Sequence, residues 1–103
     1  MKANGRWYGE VKDLTERLVR INSISPNVAG ENACAAEILR ALEEQGLAAG
    51  TWQTSGDERK NVWTMLEGGS VLPGTDRIPT VILIGHHDVA GVQDFSPDED
   101  PFD

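Results

Sequence analysis

Disulfide bonding within the chain is excluded, because Cys34 is the one cysteine in 103 residues. A reducing, cytoplasmic setting is the expectation that follows. Histidine is nearly as scarce: His86 and His87 are the only two, so histidines of this chain cannot complete a catalytic zinc site with three protein ligands. Basic residues are also few, nine Lys and Arg against 17 Asp and Glu, for a net charge of −8. That balance excludes a nonspecific binder of phosphate backbones and argues against an anionic membrane surface. No apolar run is long enough to cross a bilayer, and Met1-Lys2-Ala3-Asn4-Gly5-Arg6 carries no apolar signal core. Neither nucleic acid nor membrane is therefore an expected partner.

What is present describes a packed protein: 39% hydrophobic and 25% charged residues are ordinary for a folded chain. The length suits one domain at most, either a small one or part of something larger. The acidic excess is uneven. Asp88, Asp94, Asp98, Glu99, Asp100 and Asp103 crowd residues 88–103, which contain no Lys or Arg. Residues 1–91 accordingly read as the body of the domain, and 92–103 as a solvated acidic loop or tail, truncated at its end.

Trp7, Val11, Leu14, Leu18 and Ile21 recur at alternating steps of four and three, with Lys12, Asp13, Glu16, Arg17 and Arg20 between them. This is the pattern of an amphipathic helix. Asn22, Ser23, Ser25 and Pro26 break it, since proline disfavours helix in the residue before it and short polar side chains compete for backbone hydrogen bonds. From about Glu31 a second helix is expected through Ala35, Ile38, Leu39 and Leu42, stopping at Gly46. Glu31 in its first turn favours the positive end of the helix dipole.

Leu47 to Thr54 and Asn61 to Leu66 read as the arms of a hairpin, with Thr54-Ser55-Gly56-Asp57-Glu58 as its turn. Gly68-Gly69-Ser70, Pro73-Gly74 and Pro79 mark a loop. Val81-Ile82-Leu83-Ile84 is apolar on both faces, largely β-branched and bounded by Pro79 and Gly85. It reads as a buried central strand. Two helices, a hairpin and such a strand make an α/β layered sheet, yet they cannot cover both faces of the strand unaided. Either the core continues beyond Asp103 or a second copy covers the open surface.

Gly85-His86-His87-Asp88-Val89 follows that strand directly, at the position where α/β sheets place ligand sites. His86 and Asp88 are two apart, so in extended chain they share a side. The carboxylate can then accept a hydrogen bond from the imidazole, fixing its tautomer and raising its basicity as a metal ligand. His87 is expected to face the other way. The simpler reading makes His86 a hydrogen-bonded histidine and Asp88 a turn former.

The apolar run with Gly85-His86-His87-Asp88-Val89 resembles the Gly-His-x-Asp-Val segment of the M20 metallopeptidase family, zinc carboxypeptidases, aminoacylases and deacylases of N-acyl amino acids. Three further stretches stand in that family's order: Ile21-Asn22-Ser23-Ile24-Ser25-Pro26, then Gly30-Glu31 opening an Ala-rich helix, then Asn61-Val62-Trp63. Ala90-Gly91 follow Asp88-Val89 where the family often has Val-Pro, a departure similar to the arginine-utilisation branch. The resemblance spans about residues 10–90. It implies part of a three-layer α/β/α zinc-aminopeptidase-like domain. It also implies two zinc ions, with cobalt or manganese as alternatives, and a small peptide or N-acyl amino acid as substrate. His86 would ligate one metal ion, and Asp88 would be the catalytic-site carboxylate orienting it. The family's bridging aspartate, glutamate base with its adjoining glutamate ligand, and later ligands have no counterpart here, so the chain alone is expected to be inactive. The reading from a different class is a non-catalytic module that self-associates as a homodimer through its uncovered sheet, and a weaker third is a simple metal site using His86 and His87.

Other residues have structural readings. Trp7, Trp52 and Trp63 lack a basic groove beside them and read as packing or interface groups rather than a stacking platform. Cys34, among Ala33, Ala35 and Ala36, reads as a small core residue. Gly68-Gly69 lacks the Lys-Ser/Thr and the glycine spacing of a phosphate loop.

Overall fold

A computed structural model describes residues 5–53 and 56–103. Residues 1–4, and Thr54 and Ser55 of the expected hairpin turn, lie outside the described residues. Helix α1 spans Gly5–Val19 and carries the expected stripe on one side. Along its polar side Arg6 pairs with Glu10, Lys12 with Glu16 and Arg17 with Asp13, each four residues apart. The regular helix closes before Ile21, whose N–H donates to the Leu18 carbonyl at 3.1 Å. No residue of α1 is buried, and Arg17 reaches across to Glu37 at 3.0 Å.

Helix α2 spans Val28–Glu44, beginning ahead of the expected Glu31. The reason is Asn27, whose side-chain oxygen accepts the Gly30 N–H at 3.2 Å and so occupies one of the donors a helix start leaves open. At the other end Gly46, with φ +73, takes the left-handed turn expected of it. Its N–H donates to Glu43 at 2.9 Å and that of Leu47 to Leu42 at 3.2 Å, the paired bonds of a Schellman cap.

Strands β1 (Ala48–Gln53) and β2 (Lys60–Met65) form the expected hairpin, antiparallel from Ala48 opposite Met65 to Gln53 opposite Lys60. Side chains alternate between its faces. Ala49 and Val62 are half-buried on the face that packs on α2. The opposite face presents Trp52 and Trp63 to solvent, with the Trp63 ring lying over Gly50, where a Cβ would meet it at 2.9 Å.

Residues 81–84 do not form the buried central strand that their composition predicts. They belong to neither strand, and Val81, Ile82, Leu83 and Ile84 are 82, 76, 93 and 91% exposed. A central strand needs a hydrogen-bonded neighbour on each side and a layer over each face. Among the described residues the sheet consists of β1 and β2 alone, so nothing satisfies those needs for 81–84. Among the described residues the chain is a mixed α/β structure of two helices and a two-stranded antiparallel sheet. Its radius of gyration, 17.4 Å, exceeds the roughly 13 Å of a compact domain of this length.

The small interior lies where the first turns of α2, the connection after α1 and residues 86–89 converge. Ser23, Glu31, Cys34 and Ala35 are buried there. Val89 pairs in parallel with Ile24: its N–H donates to the Ser23 carbonyl at 3.1 Å, and the Ser25 N–H donates to the Val89 carbonyl at 3.3 Å. No helix among the described residues is long and apolar enough to cross a membrane.

Candidate functional site

His86 and Asp88 come together as their spacing predicts. His86 Nδ1 lies 3.0 Å from Asp88 Oδ1 and 3.0 Å from the Asp88 carbonyl oxygen. Both partners are acceptors, so Nδ1 carries the proton and donates, which leaves Nε2 as the basic nitrogen. The His86 side chain is 85% exposed and that of Asp88 39%. A solvent-facing imidazole whose inner nitrogen is held by a carboxylate can accept a proton or ligate a metal ion through Nε2.

His87 diverges from its neighbour, as alternation along an extended segment requires. Its Nε2 lies 3.4 Å from the Lys60 carbonyl, a long contact in which the ring nitrogen donates. Its Nδ1 is shut off from solvent with no hydrogen-bond partner among the described residues. The His87 carbonyl in turn accepts the Cys34 thiol at 3.5 Å. His87 is thereby tied into the protein, and His86 is presented outward.

An open cleft of about 210 Å³ lies beside this segment, lined by Glu31, Arg59, Lys60 and Asn61 as well as Gly85, His86, His87 and Asp88. Its far wall is an ionic cluster. The Glu31 side chain is 8% exposed, and Arg59 Nε donates to its Oε2 at 3.0 Å. Arg59 Nη1 donates to Asp57 Oδ2 at 2.9 Å, and Nη2 donates to the Pro26 carbonyl at 3.4 Å. Asn32 joins the same junction, donating to the Glu58 carbonyl at 2.9 Å and accepting the Lys60 N–H at 3.0 Å.

The cluster shifts its members' acidities in the directions its contacts demand. The Arg59 N–H, donating to Asp57 Oδ1 at 2.9 Å, and then the guanidinium hold the Asp57 carboxyl below its ordinary range. Asp57 and then Glu31 hold the Arg59 guanidinium charged even more firmly than usual. Burial pushes the Cys34 thiol up, against a lowering hydrogen bond from Ser23, and the nearby Glu37 charge adds to the rise. Cys34 is 2% exposed and unpaired. It has the packing role its alanine-rich surroundings imply.

Of the acidic residues between 94 and 103, Asp94, Asp98, Glu99, Asp100 and Asp103 are all exposed. The segment runs through successive turns, with Phe95 bonded to Val92, Glu99 to Ser96 and Asp103 to Asp100. None of these carboxylates lines the cleft. Among the described residues no group of three or more His, Cys, Asp and Glu side chains is placed to hold a metal ion. What the geometry offers is a single outward imidazole, His86, with the Asp88 carboxylate behind its Nδ1.

Arg59, Asn32 and Lys60 carry no sequence signal for this place. Arg59 sits in Asp57-Glu58-Arg59-Lys60, two acidic residues followed by two basic ones at the hairpin turn, a charge run that reads as solvated surface. Only the folded chain brings it against Glu31, which is far away in sequence. In comparison with known proteins, no family model, no curated protein and no solved structure matches the chain.

Proposed function

We propose that this chain carries one metal ligand, His86, and its orienting carboxylate, Asp88, of a dinuclear zinc hydrolase that cleaves peptide or N-acyl amide bonds of amino-acid substrates. The proposed setting is part of a three-layer α/β/α domain resembling that of the M20 family. The observation that carries the reading is the 3.0 Å contact between His86 Nδ1 and Asp88 Oδ1 beneath an exposed imidazole. In this reading Nε2 of His86 holds the metal ion. Asp88 holds the proton on Nδ1, so the imidazole keeps one tautomer and one orientation. A zinc ion so held supplies Lewis acidity and an acidified water. In this reading the bridging aspartate, the glutamate base and the other ligands of such a centre are not among these 103 residues.

Two measurements test the assignment. Zinc titration followed by the His86 ring resonances in NMR is expected to shift Cε1 and Cδ2 of His86 and to leave those of His87 in place. Replacing Asp88 by Asn is expected to weaken that binding roughly 10–100-fold. Equal response of both histidines, or binding indifferent to Asp88, overturns the roles given. The coding frame beyond the Asp103 codon tests the larger claim. An aspartate in a glycine-rich segment followed by a Glu-Glu pair supports it, and an immediate native stop codon refutes it.

A second reading rests on the exposure of residues 81–84. Four consecutive large apolar side chains in solvent favour a non-catalytic module that self-associates through this segment. Light scattering separates the two: a stable dimer that takes up no zinc favours the module, and a monomer that binds zinc through His86 favours the hydrolase.

A further inference from the structure

We infer that Arg59 is a positioning residue for the segment that carries His86, an inference that rests on the reading of His86 as a metal ligand. The segment is held on two sides. On one, Val89 is bonded to Ser23 and Ser25 of the connection between the helices. On the other, the Lys60 carbonyl at the start of β2 faces the His87 ring. These flanks come from chain segments far apart in sequence, and one residue joins both. Arg59 Nη2 holds the Pro26 carbonyl, one residue beyond Ser25, while Arg59 itself directly precedes Lys60.

Glu31 and Asp57 set the guanidinium in that place. Glu31 is buried at the start of α2 and bonds Nε; Asp57 bonds Nη1 from the hairpin side and accepts the Arg59 N–H as well. Three acceptors in three directions use the planar fork of arginine, which a lysine ammonium cannot reproduce. Pairing with Arg59 also neutralises Glu31 within the cleft that His86 and Asp88 line, so Asp88 is spared an unpaired carboxylate nearby. Arg59 thus joins α2, the interhelical connection and β2 around the segment that presents His86.

The test uses amide hydrogen exchange on the metal-free chain, so its outcome is independent of whether His86 binds zinc. The reporting amides are Val89 and Ser25, which close the bridge, with Ile38 and Leu39 inside α2 as the reference. In Arg59→Gln, which removes all three guanidinium bonds, the Val89 and Ser25 amides are expected to exchange about tenfold faster, the scale of the one charged hydrogen bond, to the Pro26 carbonyl, that borders the bridge, with the α2 amides unchanged. Arg59→Lys, which keeps the charge on Glu31 without the fork, is expected to recover part of that protection. An unchanged bridge, or an equal increase at Ile38 and Leu39, overturns the inference, since the latter marks a purely global stabilising role. If Arg59→Gln does not fold, the same comparison in Arg59→Lys decides, with faster exchange confined to the bridge as the supporting result and uniform or absent change as the refuting one. Zinc binding abolished by His86→Ala would stand whichever way this falls.

Discussion

At the scale of single residues, the interior of this protein is polar and tightly used. Cys34 illustrates it: burial disfavours its thiolate, and its S–H is donated to the His87 carbonyl. Alkylation by iodoacetamide at neutral pH is therefore expected to be limited by opening of the fold, and to become fast in denaturing urea. Rapid native modification would show that the thiol is accessible. Asp57 gives a pH dependence with a definite sign. Its folded-state pKa is depressed below the ordinary 3.8 by the Arg59 N–H and guanidinium, so its contribution to stability is fully present above 3.8 and is lost as pH falls through the lower, folded value. Urea titrations of wild type and Asp57→Asn are expected to differ at pH 6, with the wild type more stable, and to converge on acidification below 3.8. A difference that persists in acid would assign the effect to something other than the charge.

At the scale of elements, local signals and local contacts decide different things. Both helices and the hairpin arms were legible from local signals: the four-and-three stripe of α1, Gly46 after α2, and the β-formers Val62, Trp63 and Thr64. The start of α2 was read late because Asn27 is as good a turn former as it is a cap; only the folded chain shows its side chain meeting the Gly30 N–H. The two helices also answer oppositely to the same substitution. Nothing lies near a Cβ added at Gly9 in α1, whereas one at Gly30 in α2 collides with the Asn22 backbone carbonyl. Gly9→Ala is expected to stabilise by about 0.5–1 kcal/mol, and Gly30→Ala to destabilise by about 1–3 kcal/mol despite alanine's helix preference. Thermal unfolding of both variants checks the pair; a stabilising Gly30→Ala would mean that α2 and the connection before it do not pack as described.

For the whole molecule, the decisive fact is how little is enclosed. Only Ser23, Glu31, Cys34 and Ala35 are buried among the described residues, while the apolar residues 81–84 stand in solvent. With one metal ligand proposed, the 103-residue chain is expected to hydrolyse no N-acyl amino acid when zinc or cobalt is supplied. Reproducible turnover that His86→Ala abolishes would overturn that expectation. The sequence by itself determined the helices, the hairpin and the pairing of His86 with Asp88, because each depends on residues close together in the chain, where period and spacing dictate geometry. Only the tertiary structure decided the Glu31–Arg59 cluster, the anchoring of His87 on Lys60 and Cys34, and the exposure of 81–84. Those depend on which distant segments meet, and a run such as Val81-Ile82-Leu83-Ile84 specifies that it favours burial without specifying what would cover it.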